Sequence, residues 1–509
     1  MSSVGPDSGS PKLDLRLIHE AAKQRHPALR DLVHGLLQEA TLPSIAHAVP
    51  ENVENLDEVC RYRKLRGTNQ IQVDRFADQV KALAAPGSKR INFLDDLERY
   101  RKRWSDVIPK GEMALTGNRM RDFARALQSH SKAIKLGQAF GGPTALYYDL
   151  LNRSPIGSYV SERPAVSDLL ERGGTDFVTL CHLPYWRQNM NRHLLEVTKR
   201  LCPSGERLDL VMLGDGSGLL GASFGEALKQ AGQDFRLIHI DLSPGMLDQQ
   251  RLRYNSVGVH PEQVISISGN LLRCRLLLKE QVPDLDRTFF VLHEIFDDLR
   301  AHSVWSDRIG VGEMHVVFEN GAYSGITGFK SEESLIKKLP SYLPFYANNK
   351  SEPVMRSFCP EAVILLREML QSANQSAIYV GDYGWDFIND TPATYPQQLP
   401  YRIYGKGIKT PHDLKLVLQH SCSITADTHP ALLYMAEAFG GKVEFLGSQE
   451  DFIAQVDPTL PESADKMLAE CRLICNGEKS ARIREHSEAL SYCQLLNPSM
   501  FAGMVYKNC

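Results

Sequence analysis

Two acids three residues apart follow an apolar run in this 509-residue chain: Thr288–Leu292 passes directly into His293-Glu294-Ile295-Phe296-Asp297-Asp298. If a strand turns into helix there, Glu294 and Asp297 face one side. Two carboxylates suit a planar cation with paired donors, such as a guanidinium, and either can accept a proton. His293 beside them is a candidate base or ligand contact. The plainer alternatives are a helix-capping acid, a surface acid and a structural histidine.

A second cluster lies upstream. The apolar run Leu208–Leu213 ends in Gly214-Asp215-Gly216-Ser217-Gly218, a helix-like segment follows, and the apolar run Leu237–Ile240 closes on Asp241 and Leu242. Strand, glycine turn, helix, strand, acid is the order of a site for a nucleoside-bearing cofactor. Glycines let the backbone approach the ligand, and the acid holds a ribose hydroxyl pair. Gly216, Gly218 and Gly221 also fit the GxGxxG spacing of nicotinamide and flavin enzymes, a weak signal alone. The later strands decide between them. Val264–Ser268 ends in Gly269-Asn270-Leu271-Leu272, where a polar side chain can meet adenine, and the next strand ends in the acids above. That order favours S-adenosylmethionine, with residues 214–218, Asp241, Leu242, Asn270 and Leu271 as candidate contacts. A methyl transferred from its sulfonium needs chiefly alignment and a route for the acceptor's proton.

The same residues carry a family resemblance. HEIFDDLRAH at His293–His302 is similar to the NEFFDALPVH of MidA-like methyltransferases. IDLSPGMLDQQRLRY at Ile240–Tyr254 is similar to their VEPSPALRARQRARL. Gly174–Thr179 resembles their GDFxT segment, Gly381-Asp382-Tyr383-Gly384 their IDYG, Ser423–His429 their DLTAHVDF, and LLNPSMFAGMVYK their closing motif. The likeness runs from about Gly141 to Lys507. It implies a Rossmann-like class I methyltransferase sheet, S-adenosylmethionine as cofactor, Thr179 near its methionine end, and arginine methylation in a protein or peptide. The chain departs from the pattern at Met212, where the family has an acid. It departs also at His293 for Asn, at Arg300 for Pro, and in Gly-Asp-Gly-Ser-Gly for Gly-Pro-Gly-Arg-Gly. Two other readings stay open: a small-molecule methyltransferase, and a cofactor-binding assembly factor without catalysis.

Around these clusters the pattern is α/β. Residues 1–12 read as a disordered tail, and 13–140 as a helical domain, with Ile18, Leu29, Leu32 and Leu36 at helical spacing. Residues 141–509 read as the methyltransferase domain, with an insertion at about 299–376. Further strands are expected at Ala377–Val380 and Lys442–Leu446, and a hairpin at Met314–Gly328. The charged stretch Glu98, Arg99, Arg101, Lys102 and Arg103 reads as a solvated helix face. Tyr147, Tyr148 and Tyr159 suit either an acceptor channel or core packing, while Asp382 and Tyr383 end a strand on the site's edge.

Composition is that of a globular protein, with 43% hydrophobic and 23% charged residues. A net charge of −3 gives no bulk attraction for nucleic acid. No run approaches the roughly 20 apolar residues of a membrane span, and the start lacks the signature of a signal peptide. Ten cysteines without a disulfide framework fit a reducing, cytoplasmic setting. Cys471 and Cys475 read as buried thiols, and no metal site is expected. A homodimer is compatible with the chain.

Overall fold

The computed structural model describes residues 56–57, 59–67, 70–105, 134–135, 180–216, 218–241, 244–296, 299, 302–319, 322–330, 334–349, 354–384, 401–403, 406–407, 424–426, 430–479 and 483–509. The 1–12 tail, the apolar positions from Ile18 to Leu36, and Tyr147, Tyr148 and Tyr159 lie outside them.

Seven strands make the main sheet: β1 (Leu208–Leu213), β2 (Phe235–Asp241), β3 (Val264–Ser268), β4 (Arg287–His293), β5 (Gln375–Tyr383), β6 (Lys442–Ser448) and β7 (Met500–Lys507). Their order is β6-β7-β5-β4-β1-β2-β3. Strands β1 to β5 run parallel to one another, and β7 is antiparallel to both β5 and β6. Parallel strands covered on both sides need continuous apolar runs. Alternate residues separate accordingly. Val211, Leu213, Ile238, Ile240, Phe290 and Leu292 enter one core. Leu210, Met212, Leu237, Phe289 and Val291 enter the other. Strand order reverses at β1, so a crevice opens past the carboxyl ends of β1 and β4, where open α/β sheets bind ligands.

The helices include α1 (Ser88–Ser105), α2 (Pro184–Leu201), α3 (Leu219–Gln230), α4 (Pro244–Ser256), α5 (Ser334–Tyr342) and α6 (Pro360–Leu370). Helices α2 and α3 cover one face through Trp186, Met190, Leu194, Phe224 and Leu228, and α6 covers the other.

The insertion is a second, antiparallel sheet. Val311–Glu319 pairs with Ala322–Lys330, a longer hairpin than the turn signal alone predicts. His302–Ser306 bridges Val311–Glu319 to Val354–Phe358. Ile134–Lys135, inside a stretch that reads as helical, instead adds a short strand to Val311–Glu319.

The described N-terminal helices over 59–67 and 70–84, with α1, dock on this insertion. Phe93, Leu97 and Tyr100 recur at helical spacing and are buried. Phe93 meets Tyr342 at 5.4 Å and Phe76 meets Phe345 at 4.6 Å between ring centroids. The charged face of α1 is a docking face as much as a solvated one. Buried Asp96 accepts from Lys338 Nζ at 2.9 Å and Tyr342 Oη at 2.5 Å. Arg101 pairs with Glu368 at 2.9 Å, and Glu98 with Arg367 at 3.1 Å. The solvated-face reading holds for Arg99 and Lys102, which stay exposed, while apolar contacts at Phe93 and Leu97 bring Glu98 and Arg101 against α6. Cys471 and Cys475 are buried free thiols.

Candidate active site

The turn after β1 takes three left-handed backbones, Gly214 (φ 63°), Gly216 (φ 49°) and Gly218 (φ 80°). Only glycine adopts these routinely. A Cβ on Gly214 would lie 2.3 Å from Ile295 Cδ1, and one on Gly218 would lie 3.0 Å from the Gln250 backbone. One on Gly216 would meet nothing within 4 Å. The turn therefore packs tightly beneath and opens outward at Gly216, as a cradle for a ligand requires.

Asp215 points the other way. Its carboxylate accepts from the Gly221 N–H at 3.0 Å and from Tyr254 Oη at 2.8 Å. Gly218, the residue just before α3, has no side chain to cap it, and Asp215 supplies the missing acceptor in the helix's first turn. Burial pushes the Asp215 carboxyl up to about 7, against the lowering pull of those two donors.

Asp241 ends β2, half-buried, and its Oδ2 accepts from Gln250 Nε2 at 3.3 Å. The same amide nitrogen donates to the Gly216 carbonyl at 2.9 Å. Gln250, Leu247 and Tyr254 form the buried stripe of α4. Asn270 turns its Oδ1 inward to the Leu272 N–H at 2.9 Å, capping a short turn. Leu271 lies against the Gly214 position with Ile295. Ser217, Leu242, Thr179 and Asp297 lie outside the described residues.

Glu294 follows β4 at φ 54°, a left-handed backbone that costs a branched-out side chain energy. The strand alignment shows what enforces it. The Glu294 N–H donates to the Gly381 carbonyl at 2.8 Å, across the β4–β5 pair. Gly381 itself admits no Cβ, which would sit 2.3 Å from Tyr379 Oη. Fully buried Asp382 accepts from the N–H groups of Ile295 at 2.9 Å and Phe296 at 2.6 Å, and from its neighbour Tyr383 at 2.7 Å. Asp382 is thus placed beneath the acidic turn, holding it.

His293 packs against Trp186 of α2, with centroids 4.8 Å apart and the rings tilted by 35°. Burial holds its imidazole down at about 3, so it is neutral at pH 7. Its Nε2 stands 3.7 Å from Glu294 Oε1, too far for a hydrogen bond, and a neutral ring makes no ion pair there. Neither ring nitrogen has a hydrogen-bond partner among the described residues. Buried polar atoms rarely stay unpaired, so both nitrogens have capacity for a further partner. Gln250, Tyr254 and Gly381 lie inside the motifs but carry no role there, and His239 falls just before the second of them. The one signal for Gln250 is a polar residue on the apolar stripe of its helix.

A seven-stranded sheet with one antiparallel strand next to the end, a glycine cradle at β1 and an acid at β2 define a nucleoside-cofactor enzyme of the class I methyltransferase fold. Residues 190–398 match the family described as "Putative S-adenosyl-L-methionine-dependent methyltransferase". The chain is an S-adenosylmethionine-dependent methyltransferase, consistent with its MidA-like motifs. No curated protein matches the sequence. Among solved structures, a superfamily member from Burkholderia thailandensis bound to S-adenosyl-homocysteine is 16% identical, with a TM-score of 0.52 over 83% of this chain and 95% of that one. A native structure from the same organism and superfamily is 16% identical, with a TM-score of 0.50 over 83% and 94%. At that identity the likeness concerns the fold. Among the described residues no helix is long and apolar enough to cross a membrane, and no group of three or more His, Cys, Asp or Glu could hold a metal ion.

Proposed function

We propose that this methyltransferase acts on a guanidino nitrogen of arginine in a protein or peptide, with Glu294 as the group that orients the acceptor and takes its proton. The observation that carries this reading is the backbone of Glu294. A φ of 54° at a glutamate, held by the Gly381 carbonyl and by Asp382 beneath the next two residues, is strain of the kind that collects at ligand sites. When bound, S-adenosylmethionine supplies an electrophilic methyl on its sulfonium, which needs no further activation. The backbone of residues 214–218, with the Asp215 side chain turned away, would face its amino-acid end, with Thr179 beside it, and Asp241 and Leu242 the ribose. Asn270 and Leu271 would border adenine. Glu294, with Asp297, would hold the guanidinium by paired hydrogen bonds and receive a proton as the nitrogen is methylated. His293, held neutral, suits a hydrogen-bonding role better than that of a base. Free cysteines at all nine described positions suit a cytoplasmic site of action.

The test is incubation of the protein with radiolabelled methyl donor and cell extract, followed by sizing and acid hydrolysis of the product. Label in protein that releases methylarginine supports the proposal. Label only in small molecules would replace it with small-molecule methylation. Cofactor binding without any transfer would leave a cofactor-binding assembly protein.

A further inference from the structure

Beneath the cofactor cradle runs a buried chain of hydrogen bonds whose direction is set by chemistry alone. Gln250 Nε2 lies 2.9 Å from the Gly216 carbonyl and 3.3 Å from Asp241 Oδ2. Both partners only accept, so the amide nitrogen must face them and its oxygen must face away. That oxygen stands 2.6 Å from His239 Nδ1, which therefore carries the proton. His239 Nε2 is left as an acceptor, 2.5 Å from Ser266 Oγ, its cross-strand partner on β3. Gln250 and His239 are both fully buried. Burial also holds the imidazole down at about 4, which keeps the single-proton form that this chain needs. The backbone of Gln250 abuts Gly218, so the residue touches the glycine turn twice, by side chain and by main chain.

We propose that Gln250 is a positioning residue for the cofactor: one amide, locked by His239 and Ser266, fixes the Gly216 carbonyl and the Asp241 carboxylate relative to each other. The two halves of the cradle then meet the ligand already assembled, and affinity is gained by avoiding the ordering cost on binding. This rests on the cofactor lying between the glycine turn and Asp241. Its signature is coupling. Gln250 acts through Asp241 and the turn, so its effect must shrink when Asp241 is removed.

The experiment is calorimetric titration of S-adenosyl-homocysteine into wild type, Gln250→Met, Gln250→Glu, Ser266→Ala, Asp241→Ala and the Asp241→Ala/Gln250→Met double variant, with folding checked by circular dichroism. Gln250→Met removes both donor bonds and should weaken binding about 10-fold. Gln250→Glu sets a second carboxylate against Asp241 and should weaken it about 100-fold. Ser266→Ala, the mildest change, should cost about 3-fold and reports on the relay if a Gln250 variant does not fold. The double variant should bind more tightly than the product of the two single losses predicts. Wild-type affinity in a folded Gln250→Met, or strictly multiplicative losses in the double variant, would overturn the proposal while leaving the cofactor site intact. Wild-type protein that binds no S-adenosyl-homocysteine would overturn the cofactor placement and this proposal together.

Discussion

The two ends of the main sheet handle charge in opposite ways. Where the parallel strands begin, guanidinium meets carboxylate repeatedly. Arg236 pairs with Asp209 and Asp284 at 2.8 Å each, Arg207 with Asp284 at 2.8 Å, and Arg287 with Glu206 at 3.2 Å. Where those strands finish, carboxylates are held by backbone N–H groups, a phenol and an amide, at Asp382, Asp215 and Asp241. Backbone conformation follows the same division. Asn508, just past β7, takes φ 55° at little cost because asparagine tolerates it, whereas Glu294 takes φ 54° with a side chain that does not favour it. At one end charges are paired with each other, and at the other a carboxylate sits on a strained backbone, the kind of place where ligand sites cluster.

Substitutions at the two ends should differ in kind. The largest effect is expected at Glu294. Glu294→Gln should lower turnover by about 10²–10⁴ with little change in cofactor affinity, as for loss of a general base. Initial rates with labelled methyl donor measure this, and wild-type turnover would move attention to His293 or Asp297. Glu294→Gly should be equally inactive yet melt no lower than wild type, because glycine accepts the left-handed turn without strain. Asp382→Ala should destabilise by about 2–5 kcal/mol, since it strands the buried N–H groups of Ile295 and Phe296. Urea unfolding tests that, and a loss under about 0.5 kcal/mol would show that the turn holds itself. Asp241→Ala should weaken S-adenosyl-homocysteine binding by about 1–3 kcal/mol, the scale of a charged hydrogen bond, while thermal stability without ligand changes little.

Acidity should separate the ends further. Burial holds His239 at about 4 and His293 at about 3, below the ordinary 6.5. As pH falls below about 6.5 the unfolded chain takes up protons that the folded one refuses. The stability these two histidines allow is therefore complete above about 6.5 and is lost as pH falls toward their folded values. Buried Asp215, raised to about 7, takes up a proton over the same range and offsets part of this loss. Melting temperature measured from pH 7 to 4.5 should fall with acidity, and fall more steeply in Asp215→Asn. A flat profile in Asp215→Asn would contradict the buried, neutral rings. The smallest effect is expected where the strands begin. Asp284 is largely exposed and salt screens its pairs with Arg207 and Arg236, so Asp284→Asn should cost less than about 1 kcal/mol. A larger loss would show that this end carries more of the fold than its exposure implies.

The contrast also marks what can be read from residues alone. Strands β1 to β6 are legible because each is an apolar run bounded by turn residues, and the glycine turn is legible because three alternating glycines serve little else. Strand β7 is not. Its place between β5 and β6 depends on partners far away in the chain, as does the crowding at Gly503, where a Cβ would lie 2.1 Å from Leu433 Cδ2. Asp215 is visible as a residue of the turn, but its inward aim depends on Tyr254 arriving from α4. Gln250 is invisible as part of the site until α4 meets β2. Glu294 is visible as an acid at a strand's end, while its left-handed backbone is imposed by β5 against local preference.

The antiparallel strand next to the sheet's edge has a consequence for how the molecule forms. Strand β5 spans Gln375–Tyr383, and the strand that completes its far side spans Met500–Lys507. Until that later segment docks, Ala377, Ile378, Tyr379 and Val380 offer an open, apolar edge to any passing chain. Pairings so distant in sequence close slowly, because a long loop must lose its freedom first. Refolding should therefore be limited by the docking of β7 and grow more prone to aggregation as protein concentration rises.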